Sequence, residues 1–289
     1  MGKAERNRRT ITRERIAAQQ AAAQRAEQRR NALVAGGTVL AVLALVIVII
    51  VVKATQAPAK TAAPVQNATW AQEITTVPAA TFNQVGVGAS AGLKSVTGAA
   101  PLTSGGKPEV LYMGGEYCPY CAAERWAMAA AVSRFGSLSG LHFIHSSPAD
   151  GNVPTITFYK SSYTSKYLSF VPVEWYGETE DSSTPFGHVY LQHPSTQQVA
   201  LFNKYAGRAI PFLDIGNQYV LPGVSYLFTD IQNLTWSQIA AGMQDPSSKV
   251  AKDIDGAANV VSAAICKITH GQPGNVCTSA GVTAAEGSV

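Results

Sequence analysis

The sequence predicts an α/β domain, a central mixed sheet flanked by helices, carried behind one transmembrane helix. Three observations predict it. Residues 32–52 form an uncharged apolar run. Short runs of strand formers alternate with helically spaced apolar residues between Glu109 and Met243. A Gly216-Asn217 pair between two such runs signals a hairpin. Composition agrees, since only 14% of the 289 residues are charged while 46% are hydrophobic. That is well below the roughly 25% charged of an average soluble protein. Four cysteines are too few for a small disulfide scaffold.

Charge is unevenly spread. Residues 1–31 hold nine of the 22 basic residues and three of the 18 acidic ones, which leaves 13 against 15 in the remainder. The basic balance therefore belongs to the first 31 residues. The run Ala32–Val52 follows and is long enough, at about 31 Å, to span a hydrocarbon core as a helix. It exceeds the 7–15 apolar residues of a cleaved signal peptide. An uncleaved signal anchor in the lipid bilayer is expected, with the basic N-terminus cytoplasmic and the C-terminal domain extracytoplasmic. The basic segment then sets topology, and no nucleic-acid partner is expected. Residues 53–80, rich in Ala, Thr, Pro and Gln, read as a flexible linker. The folded domain is expected over residues 81–289, its packed part beginning between Thr81 and Lys107.

Glu109–Met113 reads as a strand, and AAERWAMAAAVSRFG, ending on Gly136, as a helix. Between them stands Cys118-Pro119-Tyr120-Cys121. Pro119 suits a first helical turn, where its missing N–H costs nothing. Two intervening residues bring the sulfurs within disulfide reach, and the helix N-terminus offers Cys118 unpaired N–H groups and a positive dipole end. Both favour the thiolate. Cys118 is the expected nucleophile and Cys121 the resolving thiol. Two other readings compete: half of a zinc site, and a purely structural disulfide. Cys266 and Cys277 lack the spacing for the second half of a zinc site, and His142 and His145 fall on opposite faces of a strand. No metal and no cofactor are expected.

Downstream, Leu141–His145 reads as the next strand, and Ser195 to about Tyr205 as a helix leading through Gly207-Arg208 to Ile210-Pro211. Phe212–Ile215 and Gln218–Leu221 form the hairpin, and Thr235 caps a helix through Met243. Taken together, the Cys-Pro-Tyr-Cys pair and PSTQQVALFNKYAGRAIPFLDIGNQYV resemble the thioredoxin superfamily. The resemblance covers roughly residues 109–146 and 195–243. It implies a thioredoxin-like fold, a cis peptide bond at Pro211 beside the cysteines, and a backbone contact from Ile210 to substrate. One position departs from the family, for Tyr112 stands where a buried carboxylate is usual, six residues before Cys118. YCPYCAAERW, TFYKSSYTSKYLSFVPVE and IPFLDIGN look, more closely, like a membrane-anchored actinobacterial and archaeal family known as a domain of unknown function.

Residues 150–194 exceed a minimal domain of that kind and read as a β-rich insertion of extra strands or a covering loop. Its aromatics Phe158, Tyr159, Tyr163, Tyr167, Phe170, Trp175 and Tyr176 suit either a substrate surface or strand packing. His188 and His193 read as ordinary polar surface. Over residues 246–289, an added helix is expected from Ser247 to Ile268. Outside the cytoplasm Cys266 and Cys277 should pair as a structural disulfide, with a second redox pair as the alternative.

The function expected is a membrane-anchored thiol–disulfide oxidoreductase. Its clients would be cysteine-containing secreted or envelope proteins, and it would exchange electrons with a membrane redox partner. A thioredoxin-like binding or scaffold domain with an inert disulfide is the alternative, and a thiolate copper carrier a third reading.

Overall fold

The computed structural model describes residues 64–289. The basic segment 1–31, the expected transmembrane helix 32–52 and the start of the expected linker lie outside the described residues. Among the described residues no helix is long and apolar enough to cross a membrane.

Folded structure begins before the expected window. Val65 bridges Phe143, and helices α1 (Ala68–Thr75) and α2 (Ala79–Val85) follow. Asn67 caps α1 by accepting the Trp70 N–H at 3.1 Å. Trp70 and Ile74, one turn apart, then face inward: Ile74 is fully buried, and the Trp70 ring meets Phe143 at 5.3 Å. The flexible linker expected over residues 53–80 is therefore corrected from residue 65 onward. Two large apolar side chains anchor a helix there, and the small, polar residues around them hid it from composition.

The strands and remaining helices follow in order: β1 (Lys94–Ser95), β2 (Thr103–Ser104), β3 (Lys107–Gly115), α3 (Pro119–Ser133), β4 (Ser137–Ser139), β5 (His142–His145), β6 (Pro154–Thr157), β7 (Ser162–Thr164), β8 (Ser169–Glu180), β9 (His188–Tyr190), α4 (Thr196–Tyr205), β10 (Phe212–Ile215), β11 (Tyr219–Pro222), α5 (Trp236–Gly242), α6 (Lys249–Ile268), α7 (Gly274–Cys277) and α8 (Ala280–Ala285). The main sheet runs β1-β11-β10-β3-β8-β9, with β2 paired to the start of β3. β3 and β8 are parallel while the other pairs are antiparallel, so the sheet is mixed.

Two expectations are revised here. Residues 141–145, read as the next strand after the cysteine helix, supply β5, which pairs with β6 in a separate two-stranded ribbon. The strand beside β3 is β8, from the stretch read as an insertion. A central strand must offer apolar side chains to both faces. β8 does so over 12 residues, with Phe170 joining one core and Val173 the other. β5 has only Phe143 and Ile144 between two histidines.

β3 divides the core by its alternation. Val110 and Tyr112 pack on the side of α3 and α6, and Leu111 and Met113 on the side of α4. The hairpin forms as expected, its Gly216 and Asn217 both at positive φ (65° and 55°), which suits a two-residue turn. α4 starts with a reciprocal cap, Ser195 and Gln198 each bonding the other's backbone N–H, and Thr235 and Gln238 do the same for α5. The expected C-terminal helix is α6, capped by Ser248 and buried along nearly its whole length. It lies in the same core as α3 rather than on the outside of it.

Candidate functional site

The site is the turn from β3 into α3. Cys118 is the N-cap of α3, with extended backbone, and its Sγ accepts the Cys121 N–H at 3.3 Å. Pro119 occupies the first turn. The Cys118 N–H donates to the Gly115 carbonyl at 3.2 Å, and the Cys118 carbonyl accepts from Ala122 N at 3.0 Å. Both cysteines are free thiols. Cys118 is buried with 5% of its surface exposed, and Cys121 is fully buried.

Ninety-two residues later in the chain, the Ile210 carbonyl lies 3.9 Å from Cys118 Sγ, and the Ile210–Pro211 peptide is cis. The fold therefore brings Cys118, Cys121, Ile210 and Pro211 to one place. Tyr120 is 45% exposed and meets the edge of Phe228 at 5.0 Å. These two rings, with Pro119, Asp150, Gly151, Thr229 and Gln232, line an open groove of about 420 Å³. Cys266 and Cys277 are bonded to each other, joining the end of α6 to α7.

Electrostatics separates the two thiols. A hydrogen bond from the Cys121 thiol lowers the Cys118 pKa below the ordinary cysteine value. Burial opposes this, and the Cys121 N–H and the Arg125 charge add to the lowering. Burial raises Cys121 well above that value, and its hydrogen bond to Cys118 raises it further. Cys118 is thus the more acidic of the two thiols, and Cys121 the one that holds its proton more tightly.

Sequence reading missed the groups beneath the cysteines. Arg125, one turn beyond Cys121, is fully buried. Its Nε and Nη2 each donate to a Glu174 carboxylate oxygen at 2.8 Å, and Nη2 also donates to the Gly115 carbonyl at 2.7 Å. Glu174 occupies an inward position of β8, opposite Gly114. The register slips just after this pair, so that Gly115 faces Tyr176. Tyr112, the residue at the position of the absent carboxylate, is fully buried. A Cβ at Gly114 would lie 2.7 Å from Tyr112 Cζ, so the phenol requires glycine there. Glu116 accepts from the Thr157 hydroxyl at 2.6 Å; burial and Glu174 raise its pKa. Burial and Glu116 push Glu178 to about 7. A signal for Arg125 did exist. Cys121–Val132 is otherwise uncharged and rich in Ala, so its two adjacent charges, Glu124 and Arg125, lie on a helix with no solvent face.

His188 also differs from expectation. It is buried and stacked on Tyr117 at 3.7 Å and 8°, which props the loop just before Cys118. The polar-surface reading is corrected for His188, while His193 is exposed. Phe158, Phe170 and Tyr176 are buried packing residues, whereas Tyr159, Tyr163, Tyr167 and Trp175 are partly exposed. Trp126 is core, its Nε1 donating to the Pro154 carbonyl at 3.1 Å.

No curated protein and no solved structure matches the chain. Residues 96–267 match the model of a family described as a domain of unknown function (DUF929), a span that takes in both β3–α3 and Ile210-Pro211. That match covers more than half of the sequence, and the chain belongs to this family.

Proposed function

We propose that the protein is a membrane-anchored, extracytoplasmic thiol–disulfide oxidoreductase with a thioredoxin-like fold, acting on cysteines of secreted or envelope proteins. The observation that carries this reading is the state of Cys118. It caps α3, accepts a backbone N–H and keeps 5% of its surface open to solvent, beside the carbonyl of a cis Ile-Pro. A sulfur so held is a thiolate nucleophile and also a good leaving group. Its neighbour, buried and proton-bearing, is placed to resolve a mixed disulfide. The succession β3, α3, β8, α4 and then the β10–β11 hairpin supports the thioredoxin-like assignment. The extracytoplasmic location rests on the apolar run 32–52 and the basic residues before it.

Exchange is reversible; written from the reduced pair, Cys118 Sγ attacks a client disulfide and forms a mixed disulfide, and one client sulfur leaves as thiolate. Cys121 then gives up its proton and attacks Cys118, releasing the second client sulfur. The groove beside Tyr120 and Phe228 offers apolar rings to a client segment next to that sulfur.

Alkylation of the purified reduced protein tests the reading. Cys118 should react with iodoacetamide at neutral pH at least tenfold faster than a free-cysteine peptide, and Cys118→Ser should abolish the fast phase. Equal rates, with a Cys118–Cys121 potential below about −300 mV, would mark an inert structural bridge and a scaffold function.

A further inference from the structure

We propose that Arg125 is a positioning residue that biases the Cys118–Cys121 pair towards its reduced form, so that the site takes electrons from client dithiols rather than donating them. The inference rests on the oxidoreductase reading above and assigns it a direction.

A Cys118–Cys121 disulfide is neutral, whereas the reduced pair carries one negative charge on Cys118. A fixed cation nearby therefore stabilises the reduced form and raises the reduction potential, and a fixed anion does the opposite. Arginine stays protonated in any protein environment. The Arg125 guanidinium is fully buried one turn past Cys121. It is tied to the turn itself, because the Gly115 carbonyl that accepts Nη2 at 2.7 Å also accepts the Cys118 N–H.

Glu174 neutralises part of this charge through a two-bond fork. Nη1 has no hydrogen-bond partner, so two of the five N–H donors of the guanidinium remain unspent. The other titratable groups near it are Tyr112, neutral and fully buried with its pKa far above the ordinary phenol value, Glu116, whose carboxyl is shifted towards its neutral form, and Glu178, which burial and Glu116 push to about 7 against a lowering by Arg125. The Arg125 charge acts to lower both cysteine pKa values.

The resulting step balances with a client dithiol as reductant. A client thiolate attacks Cys118 Sγ of the enzyme disulfide, the Cys118–Cys121 bond breaks, and Cys121 leaves and takes a proton. The second client thiolate then attacks the client sulfur of the mixed disulfide. Cys118 leaves as the stabilised thiolate and the client disulfide forms. Two electrons pass from client to enzyme. A second disulfide, in the test that of glutathione, must reoxidise the pair.

The test uses the full chain in detergent, equilibrated in glutathione buffers of graded ratio, with circular dichroism to confirm folding. Glu174→Gln, which frees the guanidinium from its counter-charge, should raise the potential. Adding Arg125→Met to that variant removes the cation without leaving a buried anion. Relative to Glu174→Gln, it should shift the equilibrium towards the disulfide about tenfold, about 30 mV, and move the thiolate absorbance of Cys118 to higher pH. The wild-type protein, with oxidised glutathione, should speed disulfide formation in reduced, denatured ribonuclease A. Equal potentials and equal thiolate titrations in folded variants would overturn the role of Arg125 and leave the exchange reading standing. A wild-type pair more reducing than glutathione would overturn the assigned direction. A pair that fails to exchange with glutathione at all would overturn both readings.

Discussion

Asp255 lies fully buried on α6, and neither of its carboxylate oxygens has a hydrogen-bond partner. Burial pushes its pKa to about 8, against a partial lowering by Arg134. Arg134 is already engaged, donating to Asn259 at 2.8 Å, to Ser262 at 3.0 Å and to Ser279 at 3.2 Å, and lying over the Phe82 ring. The folded chain thus holds a proton on Asp255 that the unfolded chain loses near pH 4. A raised folded pKa means that this contribution is full below about pH 4, declines as pH rises, and is gone above about pH 8. Asp255→Asn mimics the protonated acid at every pH. It should change Tm little at pH 5 and raise it by about 3 °C or more at pH 9, as read by thermal unfolding at the two pH values. The same Tm difference at both would mean that Asp255 is ionised in the native state. Glu124, pushed to about 7 by burial and bonded by Ser225, moves stability in the same direction and will leave a residual slope in the variant. Such residues are hard to see in a sequence. Asp255 is an ordinary helix-surface residue type, and only what packs on α6 makes its position core.

At the scale of elements, the first helix carries the sharpest test, because sequence and structure divide on it. α1 packs with Ile74 fully buried, so cutting that side chain back leaves a cavity. Ile74→Ala should then cost about 2–4 kcal/mol in denaturant unfolding. A loss under about 0.5 kcal/mol would return residues 65–80 to a linker. What was legible was local. α3 and α6 announce themselves through helical spacing, α5 through its Thr235 cap, and the β10–β11 hairpin through Gly216-Asn217. The cysteine turn was legible for the same reason, since Cys-Pro-Tyr-Cys needs only the strand before it and the helix after it. What was not legible was pairing. β5 reads as a strand and the β8 stretch as extra strands or a covering loop, and local periodicity does not say which one lies beside β3. That choice depends on both faces of β8 finding partners, Phe170 among residues of one core and Val173 among those of the other.

Across the whole described domain, the two cysteine pairs occupy different kinds of place. Cys118 and Cys121 sit where a strand ends and a helix begins, reduced and surrounded by groups that tune charge. Cys266 and Cys277 link the last turn of α6 to α7 across a sequence separation of 11. Beyond them, α8 folds back so that Val282 and Ala285 join the core that holds α6 and α3. The bond therefore fastens the chain end over the helix that backs the cysteine helix. A ring of this size restricts the unfolded chain by about 2–3 kcal/mol. Replacing both residues, Cys266→Ser with Cys277→Ser, should lower Tm by about 5–10 °C. Below the new transition it should leave the alkylation rate of Cys118 and the Cys118–Cys121 potential unchanged. A staple acts through the unfolded ensemble and has no means of changing the affinity of a distant sulfur for electrons. A relay between the pairs would also preserve the initial alkylation rate, but it would slow turnover with a client dithiol while the domain is still folded. Measuring Tm and turnover on the same double variant separates the two, because only the relay couples loss of the bond to loss of turnover at temperatures where both proteins are native.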